Sequence, residues 1–144
     1  MAEHQPDFGI AWVLPAQLIQ RLHRVVEGSP NAYTGPVTVL VDALSASGSE
    51  LFAGTMQATG RAKVLGEPSC GCLLGYLGYA RVPGGGELAY SEVGFVMSNG
   101  KRIEGEGVIP DETVPATLDD LKLGRDRPLE KAQEMLKTMP KWNP

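Results

Sequence analysis

The sequence predicts an α/β domain built mostly on a parallel sheet, and three observations predict it. First, a β-branched run at residues 37–41 is followed by a helix-patterned stretch and a second apolar run at residues 62–65. Strand, helix, strand in that order makes the two strands parallel neighbours through a right-handed crossover. Second, 42% of the 144 residues are hydrophobic and 21% are charged, which suits one packed core and excludes wholesale disorder. Third, 18 glycines and 11 prolines make the chain rich in turns without reaching low-complexity levels, so loop-heavy α/β is favoured over a helical bundle.

Each element has a local reason. Residues 1–13 read as irregular. Pro15 then opens a helix in the N1 manner, with Leu18, Ile19, Leu22, Val25 and Val26 on one face and Gly28, Ser29 and Pro30 as the stop. His23 lies beside that face among Gln20, Arg24 and Glu27, and reads as a surface histidine. Residues 37–41 (VTVLV) form a buried parallel strand. The next helix starts near Ser47, turns Leu51, Phe52, Thr55, Met56 and Thr59 inward, and ends at Gly60. Residues 62–65 are the next strand.

Residues 69–79 are glycine-rich and then apolar. Residues 79–82 and 87–97 form a hairpin around Gly84, Gly85 and Gly86. Residues 103–110 are extended and glycine-interrupted, and 111–121 form a loose exit segment. Residues 128–139 make a last amphipathic helix with Leu129, Ala132 and Leu136 inward. No repeat, linker or second domain interrupts this order, so residues 1–144 are read as one domain.

Composition removes several functions. Thirteen basic against seventeen acidic residues give a formal charge of −4, with no basic run and only 6% aromatics. Nucleic acid is therefore not an expected partner. No stretch of about 18 apolar residues exists to span a membrane. The first residues, MAEHQPDFGIAWVLPAQ, lack the basic and apolar regions of a signal peptide, and no compartment follows from this chain. Cys70 and Cys72 are two residues apart, which places them poorly to bridge each other. No CxxC or histidine partner completes a metal site, so two structural thiols are expected, with no metal and no cofactor.

The segment SASGSE at residues 45–50 carries the chemistry. It lies between a strand and a helix, where the first helical N–H groups and the positive end of the dipole converge. A serine nucleophile suits that place, because the following N–H can stabilise an oxyanion. The same residues also read as a capping box, Ser47 with Glu50. Both readings stand on these residues alone.

Two longer blocks extend the comparison. VLVDALSASGSELFAGTMQATGRAKVLGEP, from residue 39, resembles the signature of the tail-specific, or C-terminal processing, serine peptidases. These read S/T-A-S-A-S-E, an apolar helix, G-R-A, an apolar strand and G-E-x-T-x-G-K-G. SNGKRIEGEGVIPD, from residue 98, resembles that family's S-G-R-x-I-x-G-x-G-I-x-P-D. Together they cover roughly residues 35–115.

The resemblance implies a ClpP/crotonase-like core, of which this chain supplies the C-terminal part, and hydrolysis of peptide bonds in unstructured proteins or C-terminal tails. It makes Ser47 the nucleophile and the Gly48 N–H an oxyanion donor. Most members place a lysine base 25 residues after the serine, where this chain has Cys72. A Lys-lacking branch, similar to the tricorn peptidases, takes a histidine base from an upstream half and a glutamate near the I-x-G-x-G block, where Glu104 stands. His4 and His23 are the two histidines, and neither sits in a matching context.

Upstream of residue 37 no L-R-x-N-P-G-G-like loop occurs. The isolated chain is therefore expected to be inactive, and to self-associate or bind a complementary fragment. Family members are often exported to the periplasm or cell envelope. The competing expectations are a non-catalytic remnant or peptide-binding module and, more remotely, a thiol enzyme using Cys72.

Overall fold

The structure, a computed structural model, describes residues 10–13, 23–24, 29, 31–75, 78–91 and 94–142. In chain order the described elements are β1 (Ile10–Val13), β2 (His23–Arg24), β3 (Thr38–Val41), α1 (Gly48–Ala58), β4 (Lys63–Gly66), β5 (Gly78–Val82), β6 (Gly86–Tyr90), β7 (Gly94–Val96), β8 (Glu112–Thr113), α2 (Leu118–Lys122) and α3 (Arg127–Thr138). Mixed α/β architecture with a parallel sheet is what the periodicity predicts.

That sheet runs β3–β4–β8, with every pairing parallel. Thr38 faces Lys63 and Val41 faces Gly66, so α1 is the crossover between two neighbouring strands. The middle strand β4 buries Val64 and Leu65 completely. Each such side chain contributes about 1.5–3 kcal/mol on leaving water. Val64 joins Val41, Ala53, Leu73, Met97, Ile103 and Val108 in the core. Gly54 lets α1 close on this cluster, because a Cβ there would meet Ile103 Cδ1 at 2.3 Å.

Several expectations need correction. The helix expected from Pro15 does not hold at His23–Arg24, which form β2 and pair antiparallel with β1. A ladder partner overrides the helical spacing there. The rest of that expected helix lies outside the described residues, as does His4. β3 is an edge strand rather than a fully buried one. Among the described residues it pairs only with β4, and Leu40 is 41% exposed. The inward stripe of α1 is rotated: Glu50, Ala53 and Gly54 are buried, while Phe52 is 57% exposed.

The hairpin's second arm ends at Tyr90. Residues 94–96 leave it and pair with β1 instead. Residues 103–110 are interrupted by a turn at 104–106, with Gly105 and Gly107 at φ of 81° and 75°. The exit segment is more ordered than its composition suggests. Asp111 is the reason: its N–H donates to Val64 O at 2.8 Å and its Oδ2 accepts from Val64 N–H at 2.8 Å, which starts the third strand. Thr117 and Asp120 then cap α2 reciprocally. In α3, Ala132 is buried as expected, but Leu129 is 44% exposed.

The cysteines are not thiols. Cys70 and Cys72 are bonded to each other, with Cα atoms 5.2 Å apart. Gly71 between them has φ of 71°, and this left-handed residue turns the chain back sharply enough to bring the two sulfurs together. The Arg61 guanidinium stacks on Tyr33 and Trp142, at 5.7 and 5.2 Å from their ring centres.

Candidate active site

The turn from β3 into α1 is built by short-range hydrogen bonds. Asp42 Oδ1 accepts from Leu44 N–H, Ser45 N–H and the Ser45 hydroxyl, at 3.0, 2.9 and 3.0 Å. The Ser49 hydroxyl donates to Ala46 O at 2.6 Å. Two of the three serines are thus occupied by the turn itself. Ser47 is different: it is exposed, and its hydroxyl faces Glu50 N–H in a capping box without closing a cap hydrogen bond.

Ser47 also has the backbone shape of a nucleophile turn. Its φ is 55° and its ψ −123°, and among the described residues it is the one non-glycine with positive φ. L-residues avoid that region at a cost of about 1–3 kcal/mol, and such strain persists where the surroundings hold it. A sharp strand-to-helix turn with a serine at its apex is the geometry that presents Oγ above a sheet's carboxyl edge. Gly48 follows as the first helical residue. Its N–H is one of the donors that a helix leaves without an internal partner, and a Cβ there would meet nothing within 4 Å. The arrangement brings a hydroxyl, an N–H for which no described residue supplies an acceptor, and the positive end of α1 together.

Glu50 holds this shape. It is fully buried, and among the described residues no cation pairs with it; its carboxylate is satisfied by hydrogen bonds instead. Oε1 accepts from the Ser69 hydroxyl at 2.6 Å and Gly71 N–H at 2.7 Å. Oε2 accepts from Cys72 N–H at 2.8 Å and Ser47 N–H at 3.2 Å. The capping box read from the sequence is therefore a loose one, and the glutamate does most of its holding across the chain. Sequence spacing pointed at Glu50 only as a cap. Three of its four partners lie 19 to 22 residues away, which no local pattern reveals. Ser69 was missed as well. It relays the hub onward by accepting from Val108 N–H at 2.7 Å.

Residues 69–74 form the wall beside Ser47. Cys72 O accepts from Ser47 N–H at 2.9 Å, which places residue 72 next to the serine. The disulfide removes the Cys72 sulfur from any acid–base role in this state. Glu104 lies in the 104–106 turn, and its Oε2 accepts from Leu73 and Leu74 N–H at 2.9 and 2.8 Å. It anchors the far side of the same wall. Ser47 and Glu104 are joined through this loop rather than placed in one cleft. A cleft of about 390 Å³ runs past Leu40, Asp42, Ser45, Gly66 and Arg125. A smaller one of about 190 Å³ includes Leu74, Arg102 and Glu104.

Lys63 points elsewhere and pairs with Asp111 at 3.4 Å. His23 sits on β2, in the antiparallel sheet. Among the described residues no cluster of His, Cys, Asp and Glu could hold a metal ion, and no helix is long and apolar enough to cross a membrane.

A profile of peptidase family S41 matches residues 12–114. Solved structures share the fold. A proposed peptidase from Parabacteroides merdae superposes with a TM-score of 0.75 at 24% identity, covering 90% of this chain and 42% of that one. The photosystem II D1 C-terminal processing protease gives 0.58 at 26% identity, over 74% of this chain and 28% of that one. The tricorn protease gives 0.61 at 20% identity, over 84% of this chain and 13% of that one. The chain thus spans less than half the length of each of these proteins.

Proposed function

From a chain that belongs to peptidase family S41, we propose a serine-type peptidase segment that supplies the nucleophile and one oxyanion donor for hydrolysis of unfolded proteins or C-terminal tails. The observation that carries this reading is Ser47: exposed, held at φ 55° and ψ −123°, at the mouth of α1 and followed by the Gly48 N–H. In this scheme Ser47 Oγ attacks the scissile carbonyl carbon. The Gly48 N–H and the dipole of α1 stabilise the negative charge that develops on the carbonyl oxygen. Glu50 and Glu104 are positioning residues, one behind the serine and one behind the facing loop.

The proton on Ser47 needs a base. The nearest candidate by sequence, Cys72, is held in a disulfide. The base is therefore assigned to a histidine in a segment or partner chain beyond the described residues. That assignment follows the Lys-lacking branch of the family. It also treats this chain as the C-terminal portion of a catalytic domain.

The test is hydrolysis of an unfolded fluorescent reporter by wild type and by Ser47→Ala. Turnover in the first and none in the second supports the peptidase reading. Equal rates reject it. A second reading, a peptide-binding module, is favoured by one observation: a cystine stands where the resemblance puts the lysine base. Reporter binding without turnover in both proteins would select it.

A further inference from the structure

The C-G-C triplet stands out as a bridge whose position is poorly explained by stability. It closes a loop of only three residues, and so restricts the unfolded chain far less than a long-range disulfide would. Both cysteines are exposed, while Gly71 between them is buried.

The backbone of the triplet is tied to both sides of Ser47. Cys70 N–H donates to Ser45 O at 3.0 Å, and Cys72 O accepts from Ser47 N–H at 2.9 Å. Gly71 and Cys72 N–H both donate to Glu50. Gly71 O accepts from Gly105 N–H at 2.9 Å, which ties the triplet to the turn that carries Glu104. Gly71 is also wedged in place, since a Cβ there would meet Gly107 N at 2.9 Å. A change in the conformation of the triplet cannot be absorbed without disturbing the serine turn.

We propose that Cys70–Cys72 is a thiol-exchangeable cystine whose redox state sets the geometry of the Ser47 turn. The reductant is a dithiol. One of its thiolates attacks a cystine sulfur, the S–S bond breaks, a mixed disulfide forms and the released cysteine thiolate takes a proton. The second dithiol sulfur, deprotonated, attacks the reductant's own sulfur in the mixed disulfide and expels the other cysteine, which is protonated in turn. The cystine gains two electrons and two protons, and the dithiol loses both as it closes to a disulfide. Exposed, weakly constraining bridges are the kind that exchange in this way. Reduction removes the covalent restraint on the residue whose carbonyl orients Ser47 N–H. It also leaves a free thiol at position 72.

The exchange does not depend on Ser47 being a nucleophile. Its consequence for reactivity does, and rests on the function proposed above. The experiment uses the full native chain, equilibrated across ratios of reduced to oxidised dithiothreitol and quenched with iodoacetamide. Peptide mass spectrometry should show residues 70 and 72 alkylated together and reversibly, with circular dichroism unchanged. Amide exchange at Ser47, Gly71 and Cys72 should accelerate about tenfold or more in the reduced form, as expected of a locally loosened segment. Alkylation that appears only on denaturation would overturn the proposal, as would identical amide exchange in both states.

A second arm measures fluorophosphonate labelling of Ser47 in both states. Cys70→Ser should show the reduced-state rate at every ratio. Labelling at equal rates in both states contradicts control of the serine turn. Exchange and amide response without labelling in either state leaves the cystine proposal standing and rejects Ser47 as a nucleophile that this chain activates by itself.

Discussion

Replacing Glu50 by glutamine tests the hub beneath the serine turn. The carboxylate accepts four hydrogen bonds in a fully buried site: two on Oε1, from Ser69 and Gly71, and two on Oε2, from Cys72 and Ser47. Glutamine has one acceptor oxygen and an NH2 group that can only donate. Its less costly orientation puts NH2 on the Oε1 side, where the Ser69 hydroxyl can rotate to accept. The Gly71 N–H is then left without a partner and faces another donor. An orphaned buried donor costs about 1–3 kcal/mol, and each of the two surviving bonds loses about 1 kcal/mol when its acceptor is no longer charged. Removing a buried charge offsets part of this.

The expected net loss for Glu50→Gln is about 3 kcal/mol, a large part of the roughly 5–15 kcal/mol that holds a domain together. With a urea slope of about 1.5 kcal/mol/M, the midpoint should fall by about 2 M, read by circular dichroism or tryptophan fluorescence. Glu50→Ala orphans the Gly71 and Cys72 N–H groups and the Ser69 hydroxyl, while Ser47 N–H keeps Cys72 O, and it should leave little folded protein. A Glu50→Gln midpoint within about 0.5 M of wild type would refute the hub, because it would mean that those donors find other partners.

Ser47→Gly should stabilise the fold by about 1 kcal/mol relative to Ser47→Ala, since glycine adopts the positive φ without the strain; paired urea titrations of the two variants check this. Gly107→Ala should destabilise by about 2 kcal/mol or more, because its φ is 75° and a Cβ would meet Ser69 O at 2.4 Å. Gly48→Ala, where a Cβ meets nothing within 4 Å, should leave the midpoint near wild type. In acid, Asp120 should matter. The Thr117 hydroxyl and N–H donate to it, and Arg127 and Arg125 add positive charge, so its carboxyl is held below its ordinary value. A depressed folded value means that this stabilisation is complete above the unfolded pKa of about 3.9 and drains away as pH falls through the folded one. Asp120→Asn should therefore be less stable than wild type at pH 7, with the gap narrowing below about pH 4 in a pH series of thermal melts.

The β3–α1–β4 unit was legible because its signals are local. A β-branched run, a helical stretch closed by Gly60 and a second apolar run lie next to one another, and their pairing follows from the crossover rule. The serine turn was legible for the same reason, since Ser47 and Gly48 sit in one hexapeptide. What escaped depends on distant contacts. The third strand is two residues long and exists because Asp111 bonds to Val64. The face of α1 was misjudged because a carboxylate, Glu50, takes the place an apolar residue was expected to fill, while Phe52 turns outward. The disulfide escaped because spacing alone counts against it, and only the left-handed backbone of Gly71 brings the sulfurs together. Glu104 was legible as a position, but its bonds to Leu73 and Leu74 were not.

The most direct measurement incubates the native chain of 144 residues with a fluorophosphonate and locates the adduct by peptide mass spectrometry, with Ser47→Ala as control. A strained, exposed serine beside the first helical N–H should carry the phosphonyl group on Ser47, with Ser45 and Ser49 unmodified and the control unlabelled. Modification spread over the neighbouring serines, or equal labelling of the control, would mean that the turn confers no special reactivity on Ser47.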